Sequence, residues 1–318
     1  MNLIDLIDID CDPQEVVVSH SSEYHENFGF QWNRFNKLQL DSYNGSSESR
    51  DRLLFQSELN EYDFKDKIVL ELGAGNGRFT EILLSMGAKV VAVDFSSAIF
   101  ANHQNHQLSV QDGSLICVKG DIFNLPIKKT SFDIVICYGV IQHTGNNAGC
   151  MQAISEYLGP QSKLLIDIYS NSIKHFNPWI YAIRPLFSLF KDNNFKLKIV
   201  EKFVNFIFPL QFLILSFLHE KKGLYKLIRY FFYRSPNSVY GINLFLQNKI
   251  SLEHAKEWSI CDTFDAWMPH HDHPVSMKKW KKLLHDLSRF NDLKIKFTKE
   301  CGQGNCALLE KNSTDRSE

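Results

Sequence analysis

The sequence predicts a doubly wound α/β fold: a mostly parallel, seven-stranded sheet, a helical insertion after strand five, and a C-terminal antiparallel hairpin. Three observations carry this expectation. From Lys67 onward, apolar runs of five or six residues recur between helical stretches, the pattern of strands buried on both faces. The first run ends in a glycine-rich turn, Gly73-Ala74-Gly75-Asn76-Gly77. Two later runs flank the turn residues Gly302-Gln303-Gly304-Asn305 and form the hairpin.

Composition agrees with this class. The chain has 318 residues, of which 44% are hydrophobic, enough for a sizeable core and too many for wholesale disorder. Net charge is −1, which gives no global attraction to nucleic acid. Seven cysteines lack a CxxC pair or any framework spacing, so they are expected as thiols in a reducing, cytoplasmic compartment. The acidic start MNLIDLIDIDCD has no basic n-region and does not read as a secretory signal.

Taken in order, residues 1–60 are a lead-in that packs on the core, with aromatics Phe28, Phe30, Trp32 and Phe35. A helix over 46–59 sets Leu53, Leu54 and Leu59 on one side. Residues 61–170 form the core, with strands at 68–72, 89–93, 115–119, 132–137 and 163–168 and a helix over 77–86. Residues 171–255 are a basic, aromatic, helical insertion or cap, broken by Pro178, Pro185, Pro209 and Pro236. Residues 256–318 hold an acceptor-side segment and the closing hairpin at 294–298 and 306–310.

The chemistry collects at the strand ends. Glycines after the first strand allow a sharp turn and close backbone approach to a ligand. Asp94 ends the second strand, twenty-one residues after Gly73, where a carboxylate can accept from both hydroxyls of a ribose. Gly120-Asp121-Ile122 follows the third strand, where Asp121 can accept from an adenine amino group. Each part has an ordinary alternative: a strand-ending Asp also caps helices or turns, and Glu71 also serves as a structural acceptor. The order and spacing of all four signals, including Ser131–Val135 at the fourth strand, make the joint pattern specific.

That pattern resembles the class I S-adenosylmethionine-dependent methyltransferases over about 65–170 and the final hairpin. The resemblance implies S-adenosyl-L-methionine as cofactor. It implies that Gly73, Ala74, Gly75 and Gly77 line its methionine part, with Glu71 near the amino group. Asp94 would hold the ribose and Asp121 the adenine, and Phe95, Ile122 and Tyr138 would belong to the same cofactor site. Phe28-Gly29-Phe30-Gln31-Trp32-Asn33-Arg34-Phe35 and Trp258–Asp265 followed by His273-Pro274 look like a bacterial methyltransferase group often associated with surface-polysaccharide and sugar modification. Trp267-Met268-Pro269-His270-His271 departs from the tyrosine-containing segment of that group. A nicotinamide-dependent dehydrogenase is the weaker reading of the fold, because its fingerprint is G-x-G-x-x-G and here the third glycine comes one residue early. A cofactor-binding partner subunit without catalysis is the other alternative.

The expected reaction is methyl transfer to a hydroxyl of a sugar, glycan precursor or other small molecule. A hydroxyl acceptor needs a general base, and His143, just past the fourth strand, is the first candidate. Asp167 and Tyr169, at the end of the fifth strand, and His271 are further pocket candidates. His143 can equally cap or pack beside the cofactor. The cluster His270-His271-Asp272-His273 has no second ligand cluster at a recognised spacing, so no metal is expected. Asp262, Asp265 and Trp267 suit a polar pocket with an aromatic wall, or helix caps.

Charge singles out the insertion. Residues 171–250 carry twelve Lys/Arg against Asp192, Glu201 and Glu220, so this stretch is +9 and the remainder −10. The uncharged run 203–218 has sixteen residues, short of the ~20 that a spanning helix needs. It is expected as a buried cap helix or a pair of short helices. Residues 203–234 also suit peripheral contact with the anionic inner face of a membrane, against the alternative of a cap with a solvated basic face.

Overall fold

The computed structural model describes residues 2–9, 11–19, 26–172, 177–268, 273–302 and 304–312. The chain separates into two compact units. One comprises residues 1–36, 49–172 and 271–318; the other comprises 37–48 and 173–270.

The first unit is built on one eight-stranded sheet. Its strands are β1 (Val17–Val18), β2 (Ile68–Leu72), β3 (Lys89–Asp94), β4 (Leu115–Lys119), β5 (Phe132–Cys137), β6 (Leu158–Tyr169), β7 (Leu293–Cys301) and β8 (Gly304–Lys311). They lie in the order β1-β4-β3-β2-β5-β6-β8-β7. Strands β1 to β6 pair in parallel, and β8 runs antiparallel to both β6 and β7. All seven expected strands are present. The eighth, β1, pairs with β4 at the edge; two residues are too few to show a period.

Thirteen α-helices accompany these strands among the described residues: α1 (Glu26–Arg34), α2 (Asp41–Asn44), α3 (Glu48–Ser57), α4 (Arg78–Ser85), α5 (Ala98–Asn105), α6 (Gln107–Gln111), α7 (Asn147–Ser155), α8 (Pro178–Ser188), α9 (Asn193–Leu218), α10 (Lys222–Phe232), α11 (Tyr240–Leu246), α12 (Leu252–Trp267) and α13 (Met277–Asn291).

The central strands are apolar throughout because both sheet faces are covered. Leu70, Val91, Ile116 and Val135 point to one face, where Met151 and Ile154 of α7 and Trp280 and Leu284 of α13 pack. Val69, Val90, Cys117 and Ile134 point to the other, against Leu53 of α3, Ile82 and Leu83 of α4 and Ile99 of α5. Each such side chain contributes ~1.5–3 kcal/mol relative to exposure. Trp280 is fully buried, and its indole N–H donates to Thr298 Oγ1 at 3.0 Å, so its one polar atom is satisfied.

The second unit is helical, formed by α2 and α8 to α12. Val200, Val204, Phe208 and Leu215 of α9 are buried with Ile242 and Leu244 of α11 and Ala255, Trp258 and Phe264 of α12. Its buried polar groups include Lys196, whose pKa burial lowers, and a mutually bonded amide pair. Gln211 Nε2 donates to Asn237 Oδ1 at 3.0 Å, and Asn237 Nδ2 donates back to Gln211 Oε1 at 2.6 Å.

Three expectations are corrected. Residues 203–218 are the C-terminal part of one 26-residue helix, and its outward face is exposed. It continues through Pro209 because that ring lies on the exposed side, where water can satisfy the freed carbonyl. Residues 256–268 group with the insertion, because α12 starts from its Ser251 N-cap and runs unbroken past 255. Not every cysteine is a thiol: Cys301 and Cys306 are joined by a disulfide across the β7–β8 hairpin, with Cα atoms 6.1 Å apart. Only the hairpin turn brings this pair together.

Candidate functional site

The site grows from the carboxyl end of β2, the point where the sheet order reverses between β3 and β5. Gly73 N and Ala74 N both donate to Val93 O, at 2.8 and 2.9 Å, which folds the glycine turn over the end of β3. Gly77 has φ +97°, and a Cβ there would lie 2.4 Å from His106 Cε1 and 2.6 Å from Asn102 Oδ1. It is glycine for internal packing. Gly75 also has positive φ, yet the nearest atom to an added Cβ is Trp32 Cδ1 at 3.9 Å. Its backbone borders open space that a ligand can fill.

The lead-in is tied to this turn. Asn76 Nδ2 donates to Phe35 O and Asn36 O, at 3.3 and 3.0 Å, and Asn105 Nδ2 donates to Asn36 O at 2.8 Å. Trp32 thereby stands beside Gly75. Sequence reasoning noted Trp32 as a packing aromatic and as part of the 28–35 segment that carries a family resemblance, without placing it at the glycine turn.

Asp94 Oδ2 accepts from Gly75 N at 2.8 Å, and Oδ1 accepts from Ser96 N and Oγ at 2.8 and 2.6 Å. A carboxylate offers about four acceptor positions, so one on Oδ2 is left for a ribose hydroxyl. Asp121 Oδ1 accepts from Phe123 N at 3.0 Å in a local turn, with Ile122 buried behind it. Phe95 follows Asp94 and is half-buried.

Glu71 is fully enclosed. Its Oε2 accepts from Thr80 Oγ1 at 2.5 Å, and Thr80 Oγ1 accepts from Asn102 Nδ2 at 2.8 Å. Asn102 in turn meets His106 Nδ1 at 2.9 Å. Burial pushes the Glu71 carboxyl up to about 8, against the Thr80 bond and with help from Asp94. The same burial lowers His106, opposed by its bond to Asn102. Thr80 and Asn102 were not foreseen; a hydroxyl and an amide inside two amphipathic helices give no signal without their partner.

A second polar group forms beyond β5 and β6. Tyr138 is buried, its ring meets Phe79 edge-on at 5.7 Å, and its Oη has no hydrogen-bond partner. Burial raises its hydroxyl well above the ordinary range, as does nearby Asp167. Gln142 Nε2 is likewise buried and unpartnered. Both are buried donors left without a partner within the protein. Arg52 of α3 sits alongside, its guanidinium 5.5 Å from the Phe79 ring and Nη2 3.4 Å from Asp167 Oδ2. Asp167 Oδ1 accepts from Gly139 N at 2.5 Å. Burial raises the Asp167 carboxyl, while Arg52 and the Gly139 N–H hold it down. Asp167 is thus an interior anchor for the loop after β5. Arg52 was missed; its i, i+4 partner Gln56 gives no functional signal.

His143 lies in the short 3-10 turn Ile141–His143 and packs edge-on against Tyr169, ring centroids 5.7 Å apart. His273 N donates to Gln142 O at 2.9 Å, and Asn147 Nδ2 donates to His273 O at 3.0 Å, so the 273–275 segment returns to this turn. His270, His271 and Asp272 lie outside the described residues. Among the described residues no group of three or more His, Cys, Asp or Glu is arranged to hold a metal. In the helical unit, Trp267 is interior, donating Nε1 to Pro236 O at 2.9 Å, and Asp262 Oδ2 accepts from Ser238 Oγ at 3.1 Å.

Part of the chain is similar to known proteins. Residues 70–166 match the family described as methyltransferase domain. The mitochondrial ubiquinone biosynthesis O-methyltransferase of Schizosaccharomyces pombe is 27% identical over 112 residues, 35% of this chain and 40% of that protein. The tRNA U34 carboxymethyltransferase of Ruthia magnifica is 29% identical over 109 residues, 32% of this chain and 33% of that protein. The matched part of the chain thus spans less than half the length of these relatives. A magnesium protoporphyrin IX methyltransferase structure from Synechocystis, with bound SAH, superposes with a TM-score of 0.47 at 12% identity, covering 91% of this chain and 97% of that one. Residues 70–166, which span β2 to β6, thus match a methyltransferase domain, and S-adenosyl-L-methionine is the cofactor of that match.

Proposed function

We propose that the chain transfers the methyl group of S-adenosyl-L-methionine to a hydroxyl of a sugar, a glycan precursor or another small molecule. The observation that carries this reading is His143 in the turn after β5, on the strand-end edge that holds Gly75 and Asp94, with the unpartnered donor Gln142 Nε2 in the same turn. The cofactor supplies a methyl group already activated on a sulfonium, so the protein mainly aligns, excludes water and moves one proton.

The residues suit those tasks. Asp94 would hold the ribose and Asp121 the adenine. Arg52 and the Tyr138 hydroxyl would hold the carboxylate of the methionine end, a cation and a donor for an anionic group. Asp167 keeps Arg52 and Gly139 in place. His143 would accept the proton of the acceptor hydroxyl. The sugar reading rests on the resemblance of the 28–35 and 258–274 segments.

Labelled methyl from S-adenosyl-L-methionine, followed into an extract of the source organism, tests this. Label is expected in a small or glycan-linked ether; label in protein or nucleic acid would overturn the acceptor class. Cofactor binding without transfer to any fraction would favour a non-catalytic partner subunit. Asp94→Ala is expected to weaken cofactor binding by ~1–3 kcal/mol in calorimetry, because ribose hydroxyls lose a charged acceptor.

A further inference from the structure

We propose that the helical unit docks on an anionic phospholipid bilayer through the outer faces of α9 and α10, lying on the surface without crossing it. This inference does not depend on the acceptor.

Helix α9 has two different sides. Val200, Val204, Phe208, Gln211, Leu215 and Leu218, spaced by three or four residues, are buried within the unit. On the outside Phe206, Leu210, Leu213 and Phe217 repeat at the same spacing and are exposed, Phe206 by 85% and Phe217 by 71%. That row runs about 16 Å along the helix. On α10, Leu224, Leu227 and Phe231 form a second exposed row. Continuous apolar surface of this kind marks an interaction face.

Cations border the rows. Lys202 stands one turn before Phe206. Lys221 stands one turn after Phe217, its ammonium 4.8 Å from that ring. On and just after α10, the Arg229 guanidinium lies 5.7 Å from both the Tyr225 and Tyr233 rings, and Arg234 lies 3.8 Å from Tyr230. Long cationic side chains over amphipathic aromatics beside an apolar stripe suit the headgroup boundary, where the stripe enters the acyl edge and the charges meet lipid phosphates. The +9 of residues 171–250 makes the attraction local to this unit. The same charge disfavours a second copy as occupant, because two such faces would oppose like charges.

Helix α9 is long and apolar enough to cross a membrane by composition, with 26 residues and mean hydropathy 1.5. Its inner side argues for lying flat. Gln211 is bonded to Asn237, and the buried row packs with α11 and α12, so insertion across a bilayer would break that pair and uncover the core of the unit.

The test is flotation of the full chain with vesicles of phosphatidylglycerol and phosphatidylcholine, compared with phosphatidylcholine alone. Binding is expected to the anionic vesicles only, and to fall as salt rises from about 0.1 M to about 1 M, where the Debye length shrinks from about 10 Å to about 3 Å. The variant carrying Phe206→Asp and Phe217→Asp is expected to lose about tenfold or more in partitioning, with circular dichroism and cofactor affinity unchanged. No flotation of the wild type at low salt would overturn the proposal. So would binding that ignores lipid charge, salt and the two substitutions. A wild-type dimer in light scattering that the variant reduces to monomer, without vesicle binding, would assign the face to self-association and also overturn it.

Discussion

The two units bury polar groups of different kinds. In the α/β unit the interior holds carboxyl groups, Glu71 and Asp167, whose protonation is set by burial and by single partners such as Thr80 and Arg52. In the helical unit the interior holds a paired neutral amide couple, Gln211 with Asn237, with Lys196 as its one buried charge among the described residues, and Lys221 and Arg234, at the two ends of α10, border its exposed apolar rows. A buried ionisable group responds to a charged ligand, whereas a satisfied amide pair only specifies packing. The first arrangement suits a site for a zwitterionic cofactor, the second an interface.

Four experiments sharpen this comparison. The largest effect is expected from His143→Ala, which should lower kcat by ~10²–10⁴-fold while cofactor affinity stays near wild type. Single-turnover rates normalised to cofactor-binding sites decide it. A loss below about threefold would leave His143 as a packing residue beside Tyr169 and pass attention to the 262–273 segment.

Next comes Trp280→Ala in the α/β core, expected to cost ~3–5 kcal/mol in denaturant unfolding, since it opens a cavity and removes the indole donor to Thr298 Oγ1, which keeps its own bond to Cys306 O. A cost near zero would mean that α13 does not seal that sheet face.

Glu71→Gln concerns the buried acid. Glu71 titrates at 4.5 when unfolded and about 8 when folded. Between these values the folded chain keeps a proton that the unfolded chain has released. Stability therefore falls as pH rises through this window, by up to about 1.4 kcal/mol per pH unit. The glutamine variant should remove that slope. Parallel stability–pH curves for the two proteins would show that Glu71 is already ionised in the folded chain.

The smallest effect is expected from Phe206→Ala, within about 0.5 kcal/mol of wild type in solution, because this ring contacts little protein. A larger cost would show that the outer row of α9 is covered in the free protein.

The sheet was legible because strands covered on both faces must be apolar at every position, as in β3 and β4, and because glycine positions report backbone need directly. Asp94 was legible by its place at a strand end. Arg52, Thr80 and Asn102 were not, because their partners Asp167 and Glu71 come from other strands and helices carry such residues everywhere. The length of α9 was hidden by Pro209 and by the charges at its start, which shortened the apolar run without breaking the helix. Strand β1 and the Cys301–Cys306 disulfide depend on pairings that no local period announces.

The antiparallel pairing of β6 with β8 joins Tyr169 to Gly304, so the strand that carries Asp167 gains its second neighbour, beyond β5, only after the whole helical unit has been synthesised. At ~5–20 residues per second, β6 waits on the order of ten seconds on the ribosome with one row of N–H and C=O groups unpaired. The wall of the site is therefore the last part of the sheet to be sealed, and its open edge is the stretch of the nascent chain most exposed to wrong strand pairing.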